Sequence, residues 1–219
     1  MEKQMNSQVI AKQFLHVFEH LHNGSIHSDC RRLLGYELKR CKSSIPNAGR
    51  GVFLSGKASA GTPVAIYPGT IFLPGDPSLL PSIRNNYLLR RSDGALIDGK
   101  PFGLSRLIFS SCASRNYVDG NIELQDETWL KEEGNTRNPL SIGHMINHRP
   151  DDGEPNVMYT EFEFESVPLE YRRYIPHVYY SSHETEEHQL PIKSIAMVAV
   201  RDVEDEELFS DYCFIATSQ

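Results

Sequence analysis

Three short stretches of the chain hold side chains whose types and spacing could do chemistry. The first is Ala48-Gly49-Arg50-Gly51-Val52-Phe53. Glycines on either side of one residue let the backbone approach a ligand closely, because no Cβ stands in the way. The same pattern also makes a tight turn before a strand, and the downstream glycine and helix of a dinucleotide fingerprint are missing. The second is Gly143-His144-Met145-Ile146-Asn147-His148, followed by Pro155-Asn156. On a helix, His144 and His148 would share a face and could hold the metal of a hydrolase, although the glutamate of HExxH is absent. Asn147 offers an amide donor and acceptor beside the imidazole of His148. Such a pair can hold the amino-acid end or the adenine of a nucleoside ligand, or simply build a turn. The third is Glu206-Glu207-Leu208-Phe209-Ser210-Asp211-Tyr212, which reads as an acidic surface turn followed by a strand ending in tyrosine.

The elements that must position these stretches are short. Over residues 7–21 the apolar side chains Val9, Ile10, Phe14, Val17, Phe18 and Leu21 recur in steps of three and four, which predicts one amphipathic helix. Ser7 is its candidate N-cap and Asn23-Gly24 its stop. After Pro46 the pattern changes to brief β-branched and aromatic runs at 52–53, 62–67, 87–89 and 95–97, broken by Gly56, Gly61, Pro68, Gly69 and the turn Ser92-Asp93-Gly94. Residues 105–138 are more polar, with Trp129 as their large anchor. Late strands are expected at 156–164 and 192–200, and 170–188 reads as an inserted loop or short helix. No repeat and no alternating strand–helix rhythm occurs, which argues against a doubly wound α/β sheet.

Composition narrows the class. A chain of 219 residues with 39% hydrophobic content supports one domain with an appendage, or two small domains at most. The net charge of -7 argues against a surface that tracks a nucleic-acid backbone, and is compatible with a basic peptide partner. Cys30, Cys41, Cys112 and Cys213 form no CxxC pair, as expected of free thiols in a reducing compartment. With no apolar run long enough to span a bilayer and no basic-then-apolar start, the expectation is an intracellular protein of nucleus or cytoplasm, with no membrane contact.

In order and spacing, the three stretches change the odds together. GxG, then Tyr67-Pro68-Gly69, then Asn-His followed by Pro-Asn, then Glu-Glu-Leu-x-x-Asp-Tyr resemble the signature series of the SET-domain lysine methyltransferases, over roughly residues 45–214. The resemblance implies a mostly β SET-domain (β-clip-like) fold of several small sheets, with a threaded C-terminal segment that brings the Asn-His and Asp-Tyr motifs together, plus an N-terminal helix. It divides the chain into a helical extension over 1–44, the domain proper over 45–214 with an insert at about 104–140, and a short tail over 215–219. It implies S-adenosylmethionine as cofactor, its methionine part lined by Gly49, Arg50 and Gly51 and its amino and adenine ends held by Asn147 and His148. Tyr212 would bound the same pocket and act as the catalytic tyrosine at the methyl-transfer point, with Tyr67 and Ser210 beside the substrate channel. The implied partner is a lysine-containing peptide of another protein, with no direct nucleic acid and an undetermined oligomeric state. No metal is expected, since no cysteine cluster follows Tyr212. The chain departs from the series where Arg149-Pro150 replaces the usual Ser-Cys, His144 the usual arginine, and Ser210 a frequent aromatic. Those departures carry the alternative: a catalytically weak or inactive module of the same fold, binding S-adenosylmethionine or a protein partner.

Overall fold

The apolar stripe at the start of the chain forms helix α1 (Ser7–His22) in a computed structural model. The structure describes residues 7–24, 30–113, 118–119, 122–123, 126, 128, 138–181 and 190–212. Trp129, Cys213, the 215–219 tail and much of the 104–140 stretch lie outside them. Helix α1 stops where the sequence predicts, at Gly24, whose φ of 74° suits a residue without a Cβ. The Ser7 hydroxyl, expected as a cap, accepts the Glu163 amide at 2.9 Å and so ties the helix start to a strand.

Short α2 (Cys30–Leu34) leads into β1 (Tyr36–Lys42), which pairs antiparallel with β2 (Arg50–Ala58). A helical leader running to residue 44 was the expectation. The alternation of Tyr36 and Leu38, packed on the core, with Glu37 and Lys39 is a strand period, and the sheet begins before residue 45. Next come β3 (Pro63–Ile66), β4 (Thr70–Phe72), the single turn α3 (Leu79–Ser82), β5 (Leu88–Arg90) and β6 (Leu96–Asp98). Helix α4 (Gly103–Ala113) and the β7 (Val118–Asp119) and β8 (Ile122–Glu123) pair follow. A 3-10 turn (Gly143–Met145) delivers β9 (Asn147–His148), and the long β10 (Val157–Phe164) succeeds it. A second 3-10 segment (Leu169–Tyr174) precedes β11 (Ile192–Ala199), β12 (Val203–Glu207) and β13 (Phe209–Ser210).

Among the described residues the strands form small sheets ordered β1-β2-β12, β10-β11-β3 and β4-β6-β5, with β7-β8 and a parallel β13-β9 pair. The principal core lies between α1 and the β10-β11-β3 sheet. Phe14 stacks on Phe162 with ring centroids 5.4 Å apart, and Phe18 lies 6.0 Å from Phe164 and 5.7 Å from Tyr174. All five rings are buried, each worth about 1.5–3 kcal/mol in apolar transfer alone. The N-terminal helix thus completes the core of the same sheet that leads, through β10 and β11, to the C-terminal motifs.

Candidate functional site

The site is built where β2 begins, where β9 follows its 3-10 turn, and where β13 runs into Asp211 and Tyr212. Parallel pairing sets Phe209 opposite Asn147 and Ser210 opposite His148. Asn156 clasps the other side of that segment. Its side-chain amide donates to the Glu207 carbonyl at 2.7 Å and its side-chain oxygen accepts the Phe209 amide at 2.7 Å. The Phe209 carbonyl in turn accepts the Asn156 backbone amide at 3.0 Å. The Asn-His, Pro-Asn and Asp-Tyr motifs, far apart in sequence, therefore converge through strand pairing and the Asn156 side chain.

A cleft of about 500 Å³ opens at this junction. Gly49, Arg50, Asn147 and Tyr212 line it, together with Arg40, Tyr87, Phe102 and Arg106. Gly49 takes φ 77°, and a Cβ built there meets nothing within 4 Å. Its glycine is explained by backbone conformation and not by crowding. Gly51 has the opposite reason. A Cβ there would run into the Glu207 carboxylate and come within 2.9 Å of Asn147 Nδ2. Glu207 is buried, not the exposed member of an acidic turn that the sequence predicts. Its oxygens accept from Ser43 Oγ at 2.8 Å and from the amide and hydroxyl of Ser44 at 2.7 and 2.6 Å. Asn147 Nδ2 lies 3.2 Å from Glu207 Oε1, from Ser43 Oγ and from the Arg50 carbonyl. Its amide protons are thus committed to the protein, and its oxygen is left as an acceptor.

Tyr212 is held at two points. Its amide donates to His148 Nδ1 at 3.0 Å, so a neutral His148 ring carries its proton on Nε2. Its hydroxyl donates to the Ile146 carbonyl at 3.0 Å, leaving the oxygen lone pairs as acceptors. Burial, with Tyr159 and Tyr87 nearby, pushes that hydroxyl well above the ordinary tyrosine range and keeps it protonated. His144 is a buried member of the cleft lining, and burial together with Arg40 lowers its pKa to about 3, so it is neutral. It belongs to the 3-10 turn and His148 to β9, so the two do not share the helical face that a metal hydrolase would require.

Of the residues singled out from sequence, Gly49, Arg50, Asn147 and Tyr212 meet at the cleft, whereas Gly51 and His148 support it from behind. Tyr67 lies behind it too: buried, its hydroxyl donates to the Tyr87 carbonyl at 2.8 Å, and it is Tyr87 that faces the cleft. Ser210 Oγ donates to Tyr159 Oη at 3.2 Å, filling the space next to the tyrosine cluster. Sequence reasoning missed Arg40, Tyr87, Arg106 and Glu207. Tyr87 and Arg106 stand outside the three stretches: Tyr87 directly precedes β5, Arg106 lies in α4, and only the tertiary fold brings them in.

No family model matches the chain. The chain is 36% identical over 189 residues to human "SET domain-containing protein 9", covering 85% of this chain and 61% of that protein. It is equally similar to the protein of the same name from Pongo abelii, covering 85% of this chain and 67% of that one. The chain therefore spans about three fifths of the human relative's length. Among solved structures, it resembles "ctPRC2 in an autoinhibited conformation bound to S-adenosylmethionine" at 16% identity and TM-score 0.44, over 96% of this chain and 18% of that one. It also resembles KRYPTONITE "in complex with mCHH DNA, H3(1-15) peptide and SAH" at 16% identity and TM-score 0.43, over 85% and 25%. On its 36% identity to the Pongo abelii protein, of which it covers 67%, this chain belongs to the SET-domain family.

Proposed function

We propose that this domain binds S-adenosylmethionine in the cleft and transfers its methyl group to a lysine side chain of another protein. The observation that carries the reading is the convergence of Gly49, Arg50, Asn147 and Tyr212, from three distant stretches, on one concave surface. The residues fit the group. The cleft volume lies within the roughly 300–1,000 Å³ of small-molecule sites. Arg40, Arg50 and Arg106 give positive charge for a carboxylate, the Asn147 oxygen is an acceptor for an ammonium, and Phe102 and Tyr87 offer aromatic surface. When bound, S-adenosylmethionine supplies an electrophilic methyl on a sulfonium.

The chain's own residues do the rest. An amine attacks only when neutral, yet a free lysine has a pKa of about 10.4. Desolvation beside the buried, uncharged His144 disfavours the ammonium form. The Tyr212 hydroxyl, its proton held by the Ile146 carbonyl, presents lone pairs that can accept from the amine or from a polarised C–H. Alignment of the reacting atoms is the remaining contribution. Transfer of labelled methyl to a protein array, with Tyr212→Phe as control, tests the reading. Expected is labelling by the wild type, with the mutant's turnover reduced on the order of 10²-fold while cofactor affinity changes little. Equal turnover in the mutant at saturating cofactor would remove Tyr212 from the chemistry. Cofactor binding without any transfer would favour the inactive binding module.

A further inference from the structure

Helix α1 turns Phe14, Val17 and Phe18 into the core and leaves another face in solvent. On that face stand His16, Glu19 and His20, at positions i, i+3 and i+4, which are neighbours on a helix surface. Among the described residues they form the group of three potential ligands whose donor atoms all lie within 4.8 Å of one another. His16 Nδ1 is 4.0 Å from Glu19 Oε2, and the two imidazole rings stand edge to face with centroids 4.6 Å apart. His20 Nδ1 lies 2.9 Å from the His16 carbonyl. A carbonyl only accepts, so Nδ1 carries the proton and Nε2 keeps its lone pair outward. That is how a metal-ligating imidazole is usually held, its second nitrogen anchored by a backbone carbonyl.

We propose that His16, Glu19 and His20 form a surface site for one divalent transition-metal ion, zinc being the best match. Two imidazoles and a carboxylate suit zinc, whereas calcium and magnesium seek all-oxygen shells. Three protein ligands leave the fourth tetrahedral position to water. The side chains are already neighbours on a helix fixed by its buried face, so little chain ordering is needed to gather them. The site is independent of the methyl-transfer reading, because α1 contributes no side chain to the cleft. An ion bridging successive turns would also stabilise α1, and with it the aromatic core beneath, through mass action.

Titration of the untagged full chain with zinc in a calorimeter tests the site, with cobalt(II) absorption reporting ligand geometry. Expected is one-to-one binding and a tetrahedral cobalt spectrum. His16→Ala or His20→Ala should weaken binding at least about tenfold, and His22→Ala should leave it unchanged. His16 and His22 are exposed and His20 is half-buried, none of them in the core, so helix content by circular dichroism should stay constant. Absence of one-to-one uptake, or equal uptake by the His16→Ala/His20→Ala double variant, would overturn the proposal.

Discussion

Glu207 shows how much one side chain arranges around the cleft. Its two oxygens gather Ser43, Ser44 and Asn147, fixing the turn before β2 and the orientation of the Asn147 amide together. Replacing it by glutamine keeps the shape but offers one acceptor oxygen where there were two. On the proposed reading, Glu207→Gln and Asn147→Ala should each weaken cofactor binding by roughly 1–3 kcal/mol, and the double variant by less than the sum. Calorimetry on the four proteins measures this; additive losses would mean that the two side chains act separately. Tyr212 and Asn147 were legible in the sequence because their motifs recur in fixed order. Glu207 was not, since its neighbour Glu206 is the same residue type yet reaches outward to pair with Arg201. Only the register of β12, irregular at Asp205 with φ 47°, turns one glutamate in and the other out. Tyr67, just past the end of β3, is buried behind the cleft, and the half-buried Tyr87 lines it.

At the scale of elements, α1 carries more than the sequence alone implies. Its 3.6-residue period was plain, as were the alternation of β10 and the run of β11, because each is long enough to average over local exceptions. β1 was read as part of a helical leader, and its strand character appears only through its seven paired positions with β2. What the helix packs against was not legible, since periodicity gives a face and not a partner. Phe18 is buried among Phe14, Phe164 and Tyr174. Phe18→Ala should therefore cost about 3–5 kcal/mol, a cavity penalty added to lost transfer energy. Urea denaturation measures it as a lower midpoint at unchanged slope. A loss under about 1 kcal/mol would mean that α1 is a detachable appendage and not part of the core.

For the molecule as a whole, His144 links stability to pH. Folded, its pKa is about 3 against an ordinary 6.5, so between those values the unfolded chain binds a proton that the folded one refuses. The contribution is complete above about pH 6.5 and is lost as pH falls toward 3, by up to about 1.4 kcal/mol per pH unit. Denaturation midpoints from pH 7 to 4 should fall more steeply for the wild type than for His144→Asn; parallel profiles would contradict this. The small-sheet architecture was legible from short strands and frequent turns, while the sheet order was not, because the pairings join distant residues. Asn147 alone bonds Ser43 across 104 positions and Glu207 across 60. That reach has a consequence for synthesis. Until residues 203–210 leave the ribosome, β2 has one bare edge and β9 has no partner. A nascent chain thus carries an open strand edge and half a cleft, a window for aberrant edge pairing that closes only with β12 and β13.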